Sequence, residues 1–169
     1  MVPKISAKKI LRASEKDKQA LADISELLTL LFARNRNQHR RSLWFKSLQQ
    51  LRKQLGLLLS ELASKKSGAE RNLEQRLQYL DDRHIHQWYL SFTQLVAVES
   101  FAVLGLVLMA CIARVCRITG ITELYEEIGS EDMQVVLQSM DEGIAVHEFG
   151  NLLGGDDEDE DEGIVIERL

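Results

Sequence analysis

Residues 33–45, Ala-Arg-Asn-Arg-Asn-Gln-His-Arg-Arg-Ser-Leu-Trp-Phe, hold four arginines, two asparagines, a glutamine and a histidine, with no acidic residue, and end on a Trp-Phe pair. These side chains bind rather than react. Guanidinium forks grip phosphate oxygens two at a time, side-chain amides hydrogen-bond base edges, and an aromatic ring stacks on a base. A polyanion is the ligand that suits the set. His39 has no acid or nucleophile near it in sequence, so it reads as a packed or capping histidine rather than a general base.

The other reactive side chains are sparse. His84 and His86 in His-Ile-His point to different sides of a helix and have no third ligand near, so no metal site is expected. Cys111 and Cys116 lie five apart in an apolar segment and read as reduced, buried thiols of an intracellular protein. There is no glycine-rich phosphate loop, no G-x-S-x-G and no carboxylate pair placed for metal-assisted hydrolysis. No catalytic residue and no cofactor are expected.

Charge is divided unevenly along the chain. Residues 1–90 carry 18 Lys and Arg against 9 Asp and Glu; residues 91–169 carry 3 against 17. The net charge of −5 therefore hides a first half basic enough to attract a polyanion. The first ten residues have no apolar stretch after their basic residues, so no secretory signal is expected. The apolar run Phe101 to Ala113 is 13 residues, short of the roughly 20 a membrane span needs, and reads as a core helix.

A single proline, Pro3, and abundant Leu, Glu, Lys, Arg and Gln predict an all-α protein. Ser14 with Asp17 three residues on predicts a helix over 14–33, with Leu21, Ile24, Leu28 and Leu31 on one face. Residues 4–13 read equally as a short extra helix or a basic arm. Trp44, Leu48, Leu51, Leu55, Leu58 and Leu62 predict a second helix over 38–64. Ser67 with Glu70 predicts the start of a third, which bends near Asp81 or runs on. A long helix over 83–117 follows, with Glu99 half-buried and Gly120 as its stop. Further short helices are expected over 121–128 and 131–141. The acidic run at 154–163 should be disordered. The expectation is an antiparallel helical bundle with one long buried helix and a disordered acidic tail, divided as a domain over 14–128 and a short helix plus flexible tail over 129–169.

These elements place the basic stretch at a helix–helix junction. Arg34 then sits at a helix C-terminus, where a cation is favoured. Arg36, Arg40 and Arg41 surround the N-terminus of the second helix, where cations are disfavoured and an anion is the natural partner. Asn35 or Asn37 can cap that helix, leaving the other, with Gln38, to read bases or anchor a loop. Trp44 reads as core and Phe45 as free to stack on a base. Lys46, Arg52, Lys53, Lys65, Lys66, Arg71, Arg76 and Arg83 extend a phosphate track.

With these residues set out, the chain resembles the fungal protein subunit specific to ribonuclease MRP and, more distantly, a domain of the nucleolus and neural progenitor protein. "RNRNQHR" (34–40) matches the family's Arg-Asn-basic-Asn-Gln-His-Arg run, followed by aromatics at 44 and 45. "QWYLSF" (87–92) and "SFAVLGLVL" (100–108) resemble a second pattern, and the likeness spans about residues 18–118. The resemblance implies a non-catalytic, RNA-binding subunit of a nucleolar ribonucleoprotein whose RNA cuts precursor ribosomal RNA in its first internal transcribed spacer. The expected partners are that RNA, possible substrate pre-rRNA and neighbouring subunits, with no membrane and no small-molecule substrate. The expected RNA-binding residues are Arg34, Asn35, Arg36, Asn37, Gln38, His39, Arg40, Arg41, Phe45, Lys46 and Lys53. A helical protein–protein scaffold in another nucleolar complex is the alternative, and a membrane-associated helical protein a third.

Overall fold

The computed structural model describes residues 4–125, and every element in that range is helical. The helices expected at 131–141 and at the end of 121–128, and the acidic run, lie outside the described residues. α1 (Lys8–Leu11) is a single turn, so residues 4–13 hold the short extra helix expected there; Ala7 and Ile10 bury completely and the turn packs on the helix Ala102–Thr119.

α2 (Glu15–His39) starts where the sequence predicts: Ser14 is extended and its Oγ accepts the Asp17 N–H at 3.1 Å. It buries Leu21, Leu28 and Leu31. It ends six residues later than expected, so Arg34–His39 is helix, not turn. α3 (Leu43–Ala63) follows after only Arg40, Arg41 and Ser42 and folds back along α2. Its start is five residues later than predicted, because the residues between belong to α2.

α4 (Ala69–Leu80) begins after Gly68, whose φ of 86° is a left-handed conformation that glycine adopts at little cost. Ser67, the expected cap, is displaced from that role by this turn. Arg76 ties α4 to α3: its guanidinium donates to both Glu61 carboxylate oxygens at 2.7 and 2.6 Å and to Gln54 Oε1 at 2.7 Å.

The chain then runs through one π turn (Asp81–Ile85) into α5 (His86–Val96). The apolar spacing explains the turn. Leu73, Leu77 and Leu80 are buried, and the next buried residue is Ile85, five on. In an α-helix five steps would rotate Ile85 about 140° off the face. A turn closed i→i+5 returns it. Within it, the ring of His84 lies flat on Trp88, with centroids 5.0 Å apart, and edge-on to Tyr79. Trp88 is buried and donates its Nε1–H to Gln50 Oε1 of α3 at 3.1 Å.

The helix expected over 83–117 is two helices. α5 stops at Val96, Val98 is extended, and a 3₁₀ turn (Glu99–Phe101) leads into α6 (Ala102–Thr119), which packs back on α5. Gly105 permits the close approach: a Cβ there would lie 2.7 Å from Val96 Cγ2 and 2.8 Å from Val96 N. The break also puts Glu99 at the surface instead of on the buried stripe.

α6 is buried on most of its circumference, including Cys111 and Cys116. By length and composition, Glu99–Thr119 could cross a membrane; 67% of its apolar window is buried among the other helices, the position of a core helix. Gly120, with φ 81°, closes it as predicted, and the N–H groups of Gly120 and Ile121 both donate to Cys116 O at 3.1 Å.

Candidate nucleic-acid interface

The α2–α3 hairpin gathers the basic stretch at one end of the bundle. No Asp or Glu occurs between Glu26 and Glu61, while seven Lys and Arg do. Arg34, Arg36, Asn37, Gln38, Arg40, Arg41, Lys46 and Lys53 are all exposed. The described ion pairs are Lys9–Glu123, Lys18–Glu15 and Arg76–Glu61, so among the described residues none of these six cations is neutralised. Arg36 and Arg40 stand one turn apart. Lys46 and Lys53, seven apart, share the exposed face of α3.

The helix ends refine what each cation does. Arg36 lies in the last turn of α2 and Arg40 is that helix's C-cap, where the dipole favours a positive charge. The expectation that both crowd the N-terminus of the next helix is corrected by the length of α2. Arg41 alone lies between the C-cap and Ser42, the N-cap of α3, whose side chain makes no capping hydrogen bond. The first N–H groups of α3 thus face the arginine turn without a side-chain acceptor, an arrangement suited to an anion.

The amides divide. Asn35 does not cap α3; its Nδ2 donates to Leu31 O at 2.9 Å, one turn back in α2. Asn37 and Gln38 remain exposed. Phe45 is not available to a base. It is 2% exposed and stacks on Phe32, with centroids 5.2 Å apart and planes 17° apart. Trp44, expected in the core, is the more exposed of the pair and packs only at the core's edge. Spacings of four from Trp44 and three from Phe45 both lead to Leu48, so helical periodicity does not choose between them; contact with Phe32 does.

Two features carry no sequence signal. His39 packs against Trp44 and Phe101, each at 5.3 Å between centroids, although Phe101 lies far along the chain. The α5–α6 break delivers it there. The guanidinium of Arg52 sits 4.0 Å from the centre of the Phe32 ring, which draws it away from any phosphate track. Arg76 is likewise engaged by Glu61. Lys65 and Lys66 sit beyond the far end of α3, about 30 Å from the basic turn.

The remaining clusters are of other kinds. His86 Nδ1 is 3.4 Å from the Tyr125 hydroxyl, on a different side from the His84 stack. Among the described residues no three His, Cys, Asp or Glu side chains gather as metal ligands. A cavity of about 510 Å³ near the start of α2 is lined by both signs of charge, including Lys9, Arg12, Arg117, Asp17 and Glu123.

Fold and site together define an all-helical protein with an acid-free, cationic stretch between Glu26 and Glu61 that spans the α2–α3 turn. The sequence model of the family described as ribonuclease MRP protein subunit RMP1 matches residues 27–114, which contain the second half of α2, all of α3 and most of α6, and the chain belongs to that family. It is 30% identical over 96 residues to the ribonuclease MRP protein subunit RMP1 of Saccharomyces cerevisiae, covering 53% of this chain and 48% of that protein. It is 32% identical over 105 residues to the ribonuclease MRP protein subunit rmp1 of Schizosaccharomyces pombe, covering 62% of this chain and 44% of that one. The chain spans about half the length of the curated relatives it matches. No solved structure matches it.

Proposed function

We propose that this protein is a non-catalytic, RNA-binding subunit of a ribonuclease MRP ribonucleoprotein, working in the nucleolus in pre-rRNA processing at the first internal transcribed spacer. Family membership supports the particle. The observation that carries the RNA reading is the set of six exposed cations on the α2–α3 hairpin, unpaired among the described residues, inside the region the family shares. Arg34, Arg36, Arg40, Arg41, Lys46 and Lys53 would take phosphates, and Asn37 and Gln38 would add hydrogen bonds to bases or sugars. His39 packs on Trp44 across the hairpin turn, and the Asn35 amide is bonded within α2. Catalysis would belong to the particle's RNA.

Capture of the tagged full chain from its own cells, followed by sequencing of the bound RNA, tests this directly. Recovery of the RNA of ribonuclease MRP is expected; recovery of protein partners with no RNA of that kind would overturn it. The second reading, a helical scaffold in another nucleolar complex, draws on Leu30, Leu43 and Leu90, which are 56%, 74% and 50% exposed.

A further inference from the structure

Beside the cationic hairpin lies a small aromatic surface that the phosphate reading does not use. Trp44, His39 and Phe101 form a closed triangle: His39 to Trp44 and His39 to Phe101 are 5.3 Å between centroids, and Trp44 to Phe101 is 6.2 Å. All three stay partly exposed, whereas the neighbouring Phe45 and the core residues Trp88 and Phe92 are covered to within 2%. Exposed Leu43 adjoins Trp44 in the chain and exposed Val98 lies three residues before Phe101, while Arg40, Arg41 and Lys46 lie along the chain on either side of Trp44. The acid nearest to it in sequence is Glu99, two residues before Phe101 and exposed.

We propose that this triangle, through Trp44, stacks an unpaired nucleobase, so that the hairpin's RNA ligand is a single-stranded segment, loop or bulge rather than a continuous duplex. The inference rests on the RNA reading above and narrows it. Cations alone hold any phosphodiester backbone. A partly exposed aromatic cluster beside them adds a contact that only a base with a free face can make, because in a duplex those faces are already stacked on one another. The occupant is a nucleobase rather than a protein side chain because the surrounding charge is positive and suits the phosphates on either side of that base.

The chain's two tryptophans supply the assay. Trp88 is 1% exposed, so a change of indole emission on RNA addition reports Trp44. The full chain is titrated with a single-stranded 12-nucleotide RNA and with a blunt 12-base-pair RNA duplex. The single strand should quench emission and the duplex should not. Trp44→Leu should weaken single-strand binding about ten-fold and leave duplex binding unchanged; Trp44→Phe should restore most of the loss. Quenching in the unsubstituted chain reads the same point if Trp44→Leu fails to fold. Equal affinity for strand and duplex with unchanged emission would overturn base stacking while leaving the phosphate reading standing. Binding to neither RNA would overturn both. Loss of a protein partner on Trp44→Leu, with single-strand affinity unchanged, would assign the triangle to a protein instead.

Discussion

Arg76 of α4 and Glu61 of α3 form a two-pronged ion pair, both side chains about one-fifth to one-quarter exposed, with Gln54 taking a third guanidinium N–H. Two parallel bonds in fixed geometry outweigh an ordinary surface pair. Arg76→Ala should lower unfolding stability by about 1.5–3 kcal/mol in urea titrations, before discounting for residual solvent screening. A double-mutant cycle with Glu61→Ala should return a coupling energy; strict additivity would show that the pair contributes nothing.

Replacing the exposed arginines should act on RNA affinity and not on the fold. The combined Arg36→Ala, Arg40→Ala, Arg41→Ala variant should keep its helical circular dichroism, losing at most a few tenths of a kcal/mol for the cations at the α2 C-terminus. On single-stranded RNA, the slope of log affinity against log salt should become shallower by about 0.7 for each phosphate that is no longer neutralised. An unchanged slope would place the RNA elsewhere on the protein.

Phe45 and Trp44 should separate by readout. Phe45→Ala removes a buried ring stacked on Phe32 and should cost about 3–5 kcal/mol of stability, measured by chemical denaturation. Trp44→Ala should cost distinctly less, since that ring lies at the core's edge.

The glycines of two helices predict opposite signs. Gly105→Ala drives a methyl into Val96 side chain and backbone and should destabilise by about 1–3 kcal/mol. Gly56→Ala, in α3 with nothing within 4 Å of the added carbon, should stabilise by about 0.5–1 kcal/mol. Thermal unfolding of the two variants side by side checks both.

Burial pushes both thiols up to about 12, Cys111 and Cys116 alike. Their folded values lie above the unfolded one near 9, so the folded state retains thiol protons that the unfolded state releases. Stability from this source is intact below about pH 9 and falls as pH rises from there toward about 12. Iodoacetamide at about pH 8.5 should leave the folded protein unmodified and label both cysteines in urea. Rapid labelling without denaturant would contradict their burial.

Much of this architecture is local chemistry that a sequence states openly. Ser14 with Asp17, Gly120, and the leucines of α3 act through hydrogen bonds and periodicity within a few residues, and each behaves as expected. The failures share a different cause. The choice between Trp44 and Phe45 rests on contact with Phe32, the fold-back of α6 on α5 on the space that Gly105 leaves for Val96, and the surroundings of His39 on Phe101. Each depends on packing that helical periodicity does not encode. The cations of the candidate site were legible because exposed charge needs no partner to be seen. The aromatic surface beside them was not, because one of its three rings arrives through a break between two helices.

The π turn at Asp81–Ile85 changes how residues along this stretch are counted. Leu73, Leu77 and Leu80 keep one helical count, and Ile85, Trp88, Phe92 and Leu95 keep another, out of step with the first by a single residue. The helical rod from Ala69 to Val96 is therefore two scales joined end to end, like a ruler with one extra graduation, and a side chain's facing direction has to be reckoned from the nearer end.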